Sequence, residues 1–252
     1  MDSTETTDTA GDTPGTLPGL DLDGVGRMLV VVAHPDDAEY GISCAVAAWT
    51  QAGIDVTYLL LTRGEAGIRD LPPETCGPLR TGEQIDGCAA VGVTDVRFLD
   101  LPDGVVVADV ALRREIARTI RQVRPDVVVV SAWELVVPWG LNHADHRACG
   151  IATVDAIRDA DNPWVHPELA AAGLEPWKAG RLLVAGGAEP TAGVDVTGRP
   201  LERGIASLEA HRAYLAALPW HPAPRDMLTE MTTAGGRALG TRNAVLFTEW
   251  AM

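Results

Sequence analysis

Hydrophobic and polar positions follow two alternating patterns along the chain. Short apolar runs occur at residues 28–33, 55–61, 96–99 and 127–131, each ending in Gly, Pro or polar residues. Such runs are typical of strands buried on both faces of a sheet. Between them, residues 38–51, 80–91 and 110–123 place apolar side chains three and four positions apart, which predicts helices. The alternation predicts an α/β fold, a Rossmann-like three-layer sandwich with a mostly parallel sheet.

The remaining segments are less regular. Residues 68–79 read as a long Pro-rich connection and residues 201–218 as an amphipathic helix. Residues 220–240 fit either a short helix or a cover over the site, and residues 244–248 either a final strand or an edge. Residues 1–22 are rich in Thr, Asp, Gly and Pro and predict a disordered acidic tail. We therefore expect a tail at 1–22 and a single domain at 23–252.

Charge and composition narrow the class of protein. The net charge of −15 argues against a nucleic-acid partner, because neutralising phosphates requires clustered Lys and Arg. No apolar run is long enough to cross a bilayer, and the N-terminus lacks a signal-peptide pattern. The four cysteines form no CxxC pair and are expected to be reduced thiols. These features favour a cytoplasmic enzyme with a small-molecule substrate, and they leave a homo-oligomer open.

The first group of candidate chemical residues follows the first strand. His34 and Asp37 lie three positions apart at the start of a predicted helix, close enough to bind one metal ion. Asp36 lies between them and remains free to act as a base. Glu39 either stabilises the first helical turn through the helix dipole or supports the site from behind.

A second group follows the fourth strand, where His143 and His146 share one face at the start of the next helix. In a Rossmann-like sheet the first and fourth strands are neighbours, and ligands bind in the crevice at their carboxyl ends. The two groups are therefore expected to meet there. His34, Asp37 and His146 then form a ligand set with one open position, which fits one catalytic Zn²⁺ per chain, although other divalent metals remain possible.

This arrangement predicts amide or ester hydrolysis. Asp36 is placed to take a proton from an attacking water, and His143 to donate a hydrogen bond to the developing oxyanion. A nucleotide-binding Rossmann module is disfavoured, since the first turn has no G-x-G-x-x-G and carries two carboxylates where a phosphate would need backbone amides.

Three segments resemble the signature motifs of the LmbE-like (PIG-L) zinc N-deacetylases. They are Ala33-His34-Pro35-Asp36-Asp37-Ala38-Glu39, Thr62-Arg63-Gly64-Glu65-Ala66-Gly67 and His143-Ala144-Asp145-His146-Arg147, and the resemblance extends over about residues 28–212. It implies an LmbE-like fold and removal of an N-acyl group, usually acetyl, from an amino-sugar-containing small molecule or glycoconjugate. It also implies that His34, Asp37 and His146 bind zinc, that Asp36 is the general base and that His143 stabilises the oxyanion. Asp145 would orient His143 and favour its charged form.

The chain departs from the family pattern at two positions. Ala144 replaces a common proline, which removes no chemical group. Asn142 stands where some sugar deacetylases carry an aromatic hydroxyl, so an amidase or esterase acting on a non-sugar natural product is kept as the alternative. The candidate substrate-binding residues are Arg63, Glu65, Arg80, Trp133 and Asn142.

Several further residues have two interpretations. Arg63 and Glu65 either grip the substrate or pair with each other. Four tryptophans come from segments expected to surround the mouth of the site, where they either pack structurally or form an apolar wall; they are Trp133, Trp139, Trp164 and Trp177. His211 is expected to be a packing residue or a far wall of the pocket rather than a fourth ligand.

Overall fold

The computed structural model describes residues 16–252 and shows a seven-stranded sheet with helices packed on both faces. In this part of the chain the strands are β1 Arg27–Val32, β2 Asp55–Leu60, β3 Asp95–Phe98, β4 Val127–Ser131, β5 Val136–Val137, β6 Gly140–Leu141, β7 Arg181–Ala185, β8 Ala192–Asp195 and β9 Ala244–Ala251. The helices are α1 Asp37–Gly41, α2 Ser43–Gln51, α3 Pro73–Val91, α4 Val110–Val123, α5 Ala144–Asp161, α6 Pro167–Ala171, α7 Arg199–Glu209, α8 Arg212–Ala216 and α9 Pro224–Leu239.

The central sheet has the order β3-β2-β1-β4-β7-β9-β8. Strand β1 pairs in parallel with both β2 and β4, and β7 continues the parallel set. The first and fourth strands are therefore neighbours, as predicted, and their carboxyl ends open at one edge of the sheet. Strand β9 runs antiparallel between β7 and β8, so the C-terminal segment is an interior strand rather than an edge.

Strand β1 shows why both faces of the sheet are covered. Met28, Val30 and Val32 belong to one buried cluster, whereas Leu29 and Val31 belong to the other. Successive side chains of a strand point to opposite faces, so a continuous apolar run requires a helical layer on each side. The α/β three-layer prediction is confirmed. All four cysteines are unpaired and buried, as expected.

Helix α3 begins at Pro73, so the prediction of a long connection over residues 68–79 was wrong. Pro72 and Pro73 stand at the N-cap and first helical position, where a missing N–H costs nothing because no intrahelical partner exists there. Pro78 lies inside the same helix. The prolines at positions 72, 73 and 78 therefore do not break the first two turns of α3.

Two predicted helices are interrupted in the structure. The segment 38–51 breaks at Ile42, whose φ of −123° separates α1 from α2. The segment 201–218 divides into α7 and α8 around His211. Residues 220–240, left open by the sequence, contain the helix α9.

The first described residues pair with the end of α9 and with the outer strand β8. Leu17 donates its N–H to the carbonyl of Ala238 at 2.8 Å, and Leu20 donates to the carbonyl of Gly193 at 2.8 Å. Leu20 and Leu22 also pack against the core. The predicted tail boundary at residue 22 therefore differs from the structure, in which pairing begins at residue 17. The rest of the predicted tail, residues 1–15, lies outside the described residues.

Candidate active site

The three predicted metal ligands meet at the carboxyl ends of β1 and β4. The Nδ1 atom of His34 lies 3.3 Å from Nε2 of His146. The carboxylate of Asp37 lies between them, with Oδ1 3.0 Å from His146 Nε2 and Oδ2 3.5 Å from His34 Nδ1. Two ring nitrogens and the carboxylate of Asp37, from two distant segments, thus lie together.

The hydrogen bonds behind His34 fix which ring nitrogen is free. Its Nε2 lies 3.0 Å from Asp103 Oδ1 and 3.1 Å from Asp145 Oδ2. Ionised carboxylates only accept hydrogen bonds, so Nε2 carries a hydrogen and Nδ1 is the ring nitrogen that can give its lone pair to a metal ion at the site. This is the tautomer that a metal ligand requires.

Asn142 fixes the second histidine in the same way. Its Nδ2 donates to the carbonyl of Ala132 at 2.8 Å, which turns Oδ1 toward Nδ1 of His146 at 3.1 Å. Nδ1 of His146 then donates to this oxygen, so Nε2 is the ring nitrogen that faces Asp37 and the site, where a metal ion would replace its proton. Asn142, predicted to bind substrate, is 4% exposed and supports His146 instead.

The three donors fit a divalent metal ion. Tetrahedral bonds of about 2.0–2.1 Å place neighbouring ligand atoms about 3.3 Å apart. The two ring nitrogens, 3.3 Å apart, and the 3.0 Å between His146 Nε2 and Asp37 Oδ1 agree with this spacing, and the second Asp37 oxygen lies 3.5 Å from His34 Nδ1. Two imidazole nitrogens and one carboxylate oxygen form a donor set that zinc binds well once the imidazoles give up their protons.

The site is also strongly negative. Burial alone would lower the pKa of His34, but Asp37, Asp103 and Asp145 outweigh it and raise that pKa to about 12. Burial opposes ionisation of Asp37, yet His146 and His34 hold its pKa well below the usual range. Carboxylates that hold protons this firmly on imidazoles also attract a metal cation, which binds in exchange for those protons.

Substituting Asn142 tests its support of His146. We expect Asn142→Leu to weaken zinc affinity by about 10- to 100-fold, because the buried leucine leaves His146 without its acceptor. Titration of the metal-free protein with zinc measures the change. Asn162→Ala, at the far end of α5, is the control and should bind zinc as the wild type does. Equal affinities for the Asn142 variant and the wild type would contradict the tautomer assignment.

Asp103 was not singled out from the sequence. It lies in the loop after β3, with a side chain only 8% exposed. The backbone N–H groups of Gly104 and Val106 in this loop donate to the carboxylate of Asp145 at 2.7 and 3.1 Å. The rule for parallel strands places this loop at the crevice, but the rule does not say which of its carboxylates turns inward.

Asp145 and His143 are arranged differently from the prediction. The Asp145 carboxylate contacts His34 rather than His143. The contact with His143 comes instead from the Asp145 backbone, whose N–H donates to His143 Nδ1 at 3.2 Å at the N-cap of α5. Since Nδ1 accepts, the hydrogen of neutral His143 lies on Nε2. The ring is exposed, with its centroid 5.2 Å from that of His34.

Asp36 sits directly behind the donor cluster in an unusual backbone conformation. Its φ of 82° and ψ of −22° lie in the left-handed region, and its side chain is buried. Its Oδ2 accepts a hydrogen bond from Arg80 Nη2 at 3.0 Å, which leaves Oδ1 for another donor. Burial raises the pKa of Asp36 to about 8, against the opposing charge of Arg80 and with further upward contributions from Asp37 and Glu39.

Arg80 was predicted to bind substrate, but the structure buries it beneath the site. It is 2% exposed and also donates to the carbonyls of Pro35 and Gly64 at 2.7 and 3.0 Å. A Cβ at Gly64 would lie 2.3 Å from Arg80 Nη1, and a Cβ at Gly67 would lie 2.2 Å from it. The two glycines of the Thr62 to Gly67 motif therefore make room for the guanidinium.

Gly67→Ala tests this close approach. We expect a loss of about 1–3 kcal/mol in the free energy of unfolding, together with reduced activity, because the added methyl displaces Arg80 and with it Asp36. Urea unfolding measures the change. The control is Gly82→Ala within α3, whose Cβ would meet nothing within 4 Å. It should stabilise the protein by about 1 kcal/mol through helix propensity, and a harmless Gly67→Ala would refute the steric account.

The predicted residues of the Thr62 to Gly67 loop do not pair with each other. Arg63 forms an ion pair with Asp100 and stacks over Phe98 with its Cζ 4.7 Å from the ring centroid. Glu65 Oε1 accepts the N–H of Asp103 at 2.8 Å. Glu65 therefore anchors the loop that carries Asp103, while Arg63 stays partly exposed at the rim.

The four tryptophans are dispersed. Trp133 is partly buried against α5. A Cβ added at Gly150 of that helix would lie 2.4 Å from the Cβ of Trp133. Trp177 lies between Arg27 and Arg124 near the amino ends of the strands, so its predicted place at the mouth was wrong. Trp164 follows the far end of the 18-residue helix α5, about 27 Å from the helix start. Trp139 remains near the site.

Trp139 belongs to a short hairpin, β5–β6, that precedes Asn142 and His143 directly. Four large apolar side chains of this hairpin are each more than half exposed, namely Leu135, Val136, Trp139 and Leu141. The Leu135 carbonyl accepts the N–H of Asn142 at 2.9 Å, which ties the hairpin to the first turn of α5. One side of the site mouth is therefore apolar.

The fold and the donor cluster define a class: an α/β protein with a His/Asp cluster that could hold a metal ion at the switch point of its sheet. The model of the PIG-L family, described as GlcNAc-PI de-N-acetylase, matches residues 29–157, which is 129 of 252 residues. The chain belongs to the PIG-L family. The matched range contains every residue of the site described above.

Individual relatives agree with this assignment. The chain is 31% identical to 1D-myo-inositol 2-acetamido-2-deoxy-alpha-D-glucopyranoside deacetylase of Kineococcus radiotolerans, over 67% of this chain and 54% of that protein. It is 32% identical to diacetylchitobiose deacetylase of Thermococcus kodakarensis, over 60% of this chain and 57% of that protein. The match thus spans little more than half the length of either relative.

Solved structures share the fold. N,N'-diacetylchitobiose deacetylase from Pyrococcus horikoshii aligns with a TM-score of 0.82 and 20% identity, over 91% of this chain and 85% of that chain. GalB, the 4-carboxy-2-hydroxymuconate hydratase from Pseudomonas putida KT2440, aligns with a TM-score of 0.72 and 18% identity, over 89% of this chain and 95% of that chain. Likeness of fold alone therefore does not decide the reaction. Within residues 16–252, no helix has the length and apolar composition needed to cross a membrane.

Proposed function

We propose that the protein is a zinc-dependent hydrolase that removes an N-acyl group, in the first instance acetyl, from an amino-sugar-containing small molecule. The observation that carries this proposal is the convergence of His34, Asp37 and His146, each histidine with one ring nitrogen turned to the site, near the buried carboxyl of Asp36. The deacetylase names of the two relatives support the same reaction and an N-acetylated sugar substrate.

His34, Asp37 and His146 would hold the metal ion, which supplies a water of lowered pKa and polarises the amide carbonyl. The carboxylate of Asp36 takes the proton of the attacking water as the new C–O bond forms. His143 donates from Nε2 to the carbonyl oxygen as negative charge develops there. Asp36 then returns the proton to the amine nitrogen as the C–N bond breaks, which yields a carboxylic acid and a free amine, and the acid afterwards releases its proton to water.

The exposed hairpin favours one alternative. Leu135, Val136, Trp139 and Leu141 form an apolar surface beside His143 that an unmodified sugar would not use. An amidase or esterase acting on a non-sugar natural-product intermediate would use it. In either case we propose a cytoplasmic enzyme with a small-molecule substrate, and a homo-oligomer remains compatible with this function.

Metal analysis and amide hydrolysis test the proposal. The purified protein should bind one zinc ion per chain and release acetate from N-acetylglucosamine conjugates, and both properties should be lost in His146→Ala. Asp155→Asn on the outer part of α5 is the matched control and should match the wild type in both assays. Unchanged turnover in His146→Ala, or no divalent metal at all in the wild type, would reject the proposal.

A substrate panel separates the two candidates. We would compare acetate release from N-acetylglucosamine and its simple glycosides with hydrolysis of amides and esters that carry no sugar. Turnover of the sugar conjugates alone supports the leading candidate. Turnover of the apolar, sugar-free substrates alone supports the alternative.

A further inference from the structure

The peptide bond between Pro35 and Asp36 is gripped on both sides by α3. The carbonyl of Pro35 accepts a hydrogen bond from Arg80 Nη2 at 2.7 Å. The N–H of Asp36 donates to Gln84 Oε1 at 2.9 Å. Arg80 and Gln84 are four residues apart on one helix and therefore share a face. Both polar groups of a single peptide unit are thus held by one element.

These two hydrogen bonds hold the backbone next to Asp36, where it is strained. Asp36 has a φ of 82°, a conformation that residues with a side chain keep only when their surroundings hold them there. The direction of the Asp36 side chain depends on this backbone conformation. The Gln84 hydrogen bond therefore bears on where the carboxylate of Asp36 points, although Gln84 does not touch that carboxylate.

The amide of Gln84 is itself locked in one orientation. Because the Asp36 N–H requires an acceptor, Oε1 of Gln84 faces it and Nε2 is turned to the opposite side. There Nε2 donates to Glu39 Oε1 at 3.1 Å. Glu39 is 1% exposed, and the same oxygen accepts a hydrogen bond from Ser207 Oγ at 3.2 Å. A rotated Gln84 amide would place two donors together at Asp36 and two acceptors together at Glu39.

Behind Glu39 lies His211, which is completely buried. Its Nε2 is 3.7 Å from Glu39 Oε2, and neither atom has a hydrogen-bond partner among the described residues. His211 is thus a buried packing neighbour of Glu39. Glu39 itself supports the site indirectly, because it accepts the hydrogen bond from the Gln84 amide. The series Asp36, Gln84, Glu39 and His211 runs from the site into the core between α3 and α7.

We infer that Gln84 is a positioning residue for Asp36 and that Glu39 is the acceptor that keeps the Gln84 amide in its working orientation. The inference rests on the proposed function, in which Asp36 is the general base. Gln84 and Glu39 touch neither the substrate nor the metal donors. Their effect should therefore appear in kcat and not in KM or metal affinity.

Gln84→Met is the direct test, because methionine keeps the volume and removes both hydrogen-bonding groups. We expect kcat to fall by about 100-fold, as for a displaced catalytic group, with KM and zinc content unchanged. Gln84→Glu is the conservative rescue, since its protonated carboxyl can accept from Asp36 and donate to Glu39. It should recover kcat to within about fivefold of the wild type. Glu39→Gln should also retain activity, because a turned amide still offers an oxygen to Gln84.

Thr119→Val is the control for these variants, and their crystal structures are the second readout. Thr119→Val removes a buried hydrogen bond on α4, in the other helical layer, and should leave kcat unchanged. If Gln84→Met fails to fold, Gln84→Asn, which is too short to reach both partners, should lose about tenfold in kcat. Crystal structures of the Gln84 variants should show the 35–36 peptide rotated.

The outcomes are distinct. A Gln84→Met or Gln84→Asn enzyme with wild-type kcat and an unchanged Asp36 backbone would overturn the inference, as would a Glu39→Gln enzyme that folds and loses about 100-fold. If the wild type hydrolyses none of the N-acyl substrates, the proposed function fails. The crystallographic position of the 35–36 peptide still decides whether Gln84 holds it.

Discussion

Asp36→Asn is expected to lower kcat by about 100- to 10 000-fold while the protein keeps its metal ion. The amide is nearly the same size as the carboxylate and can still accept a hydrogen bond from Arg80, so the buried contact at 3.0 Å is retained. The variant loses the group that takes a proton from the attacking water. Steady-state kinetics, with metal content measured on the same samples, tests this expectation.

The matched control for this experiment is Asp155→Asn, an identical change of charge on the part of α5 that lies away from the site. It should leave kcat, KM and zinc content unchanged. A loss of zinc in Asp36→Asn would mean that Asp36 is a ligand rather than a base. An Asp36→Asn enzyme that keeps more than a tenth of wild-type kcat would remove Asp36 from the chemistry altogether.

The meeting of His34 with His146 could be predicted because it depends on topology alone. Continuous apolar runs indicate parallel strands, and the order of such strands places the ends of β1 and β4 side by side. Side chains that follow those two strands must then be neighbours. No knowledge of loop conformation was needed for this step.

The partners behind the ligands could not be predicted in this way. Asn142 supports His146 because its amide nitrogen finds the carbonyl of Ala132, a contact set by the path of the hairpin. Asp103 reaches His34 because the loop after β3 folds back onto the first turn of α5. Both contacts depend on loop conformation, which local sequence patterns do not determine.

Arg80 shows a related limit. An arginine near a crevice is a reasonable candidate for substrate binding, and the sequence holds no signal that it is 2% exposed. Its burial follows from the early start of α3 and from the space left by Gly64 and Gly67. The physical role of these two glycines is the absence of a Cβ beside the guanidinium.

Asp37→Asn is expected to fail for a different reason from Asp36→Asn, namely loss of the metal ion. The carboxylate of Asp37 lies 3.0 Å from His146 Nε2 and is the one anionic donor among the three proposed ligands. Loss of a residue that only supports a ligand typically weakens metal binding by about 10- to 100-fold. Removing the charge of Asp37 should weaken zinc binding by more than this. Activity should return in part when excess zinc is supplied.

Thermal unfolding with and without zinc measures this loss independently of any substrate. A ligand present at 100 times its Kd stabilises the native state by about 2.7 kcal/mol, so zinc should raise the Tm of the wild type and of Asp36→Asn. The same zinc concentration should raise the Tm of Asp37→Asn far less. Asp37 also accepts the N–H of His34 at 2.8 Å, so the metal-free Tm of the variant must be recorded to separate lost folding stability from lost binding. Equal zinc stabilisation of the two variants would refute the separate roles of the adjacent aspartates, one holding the metal and the other moving the proton.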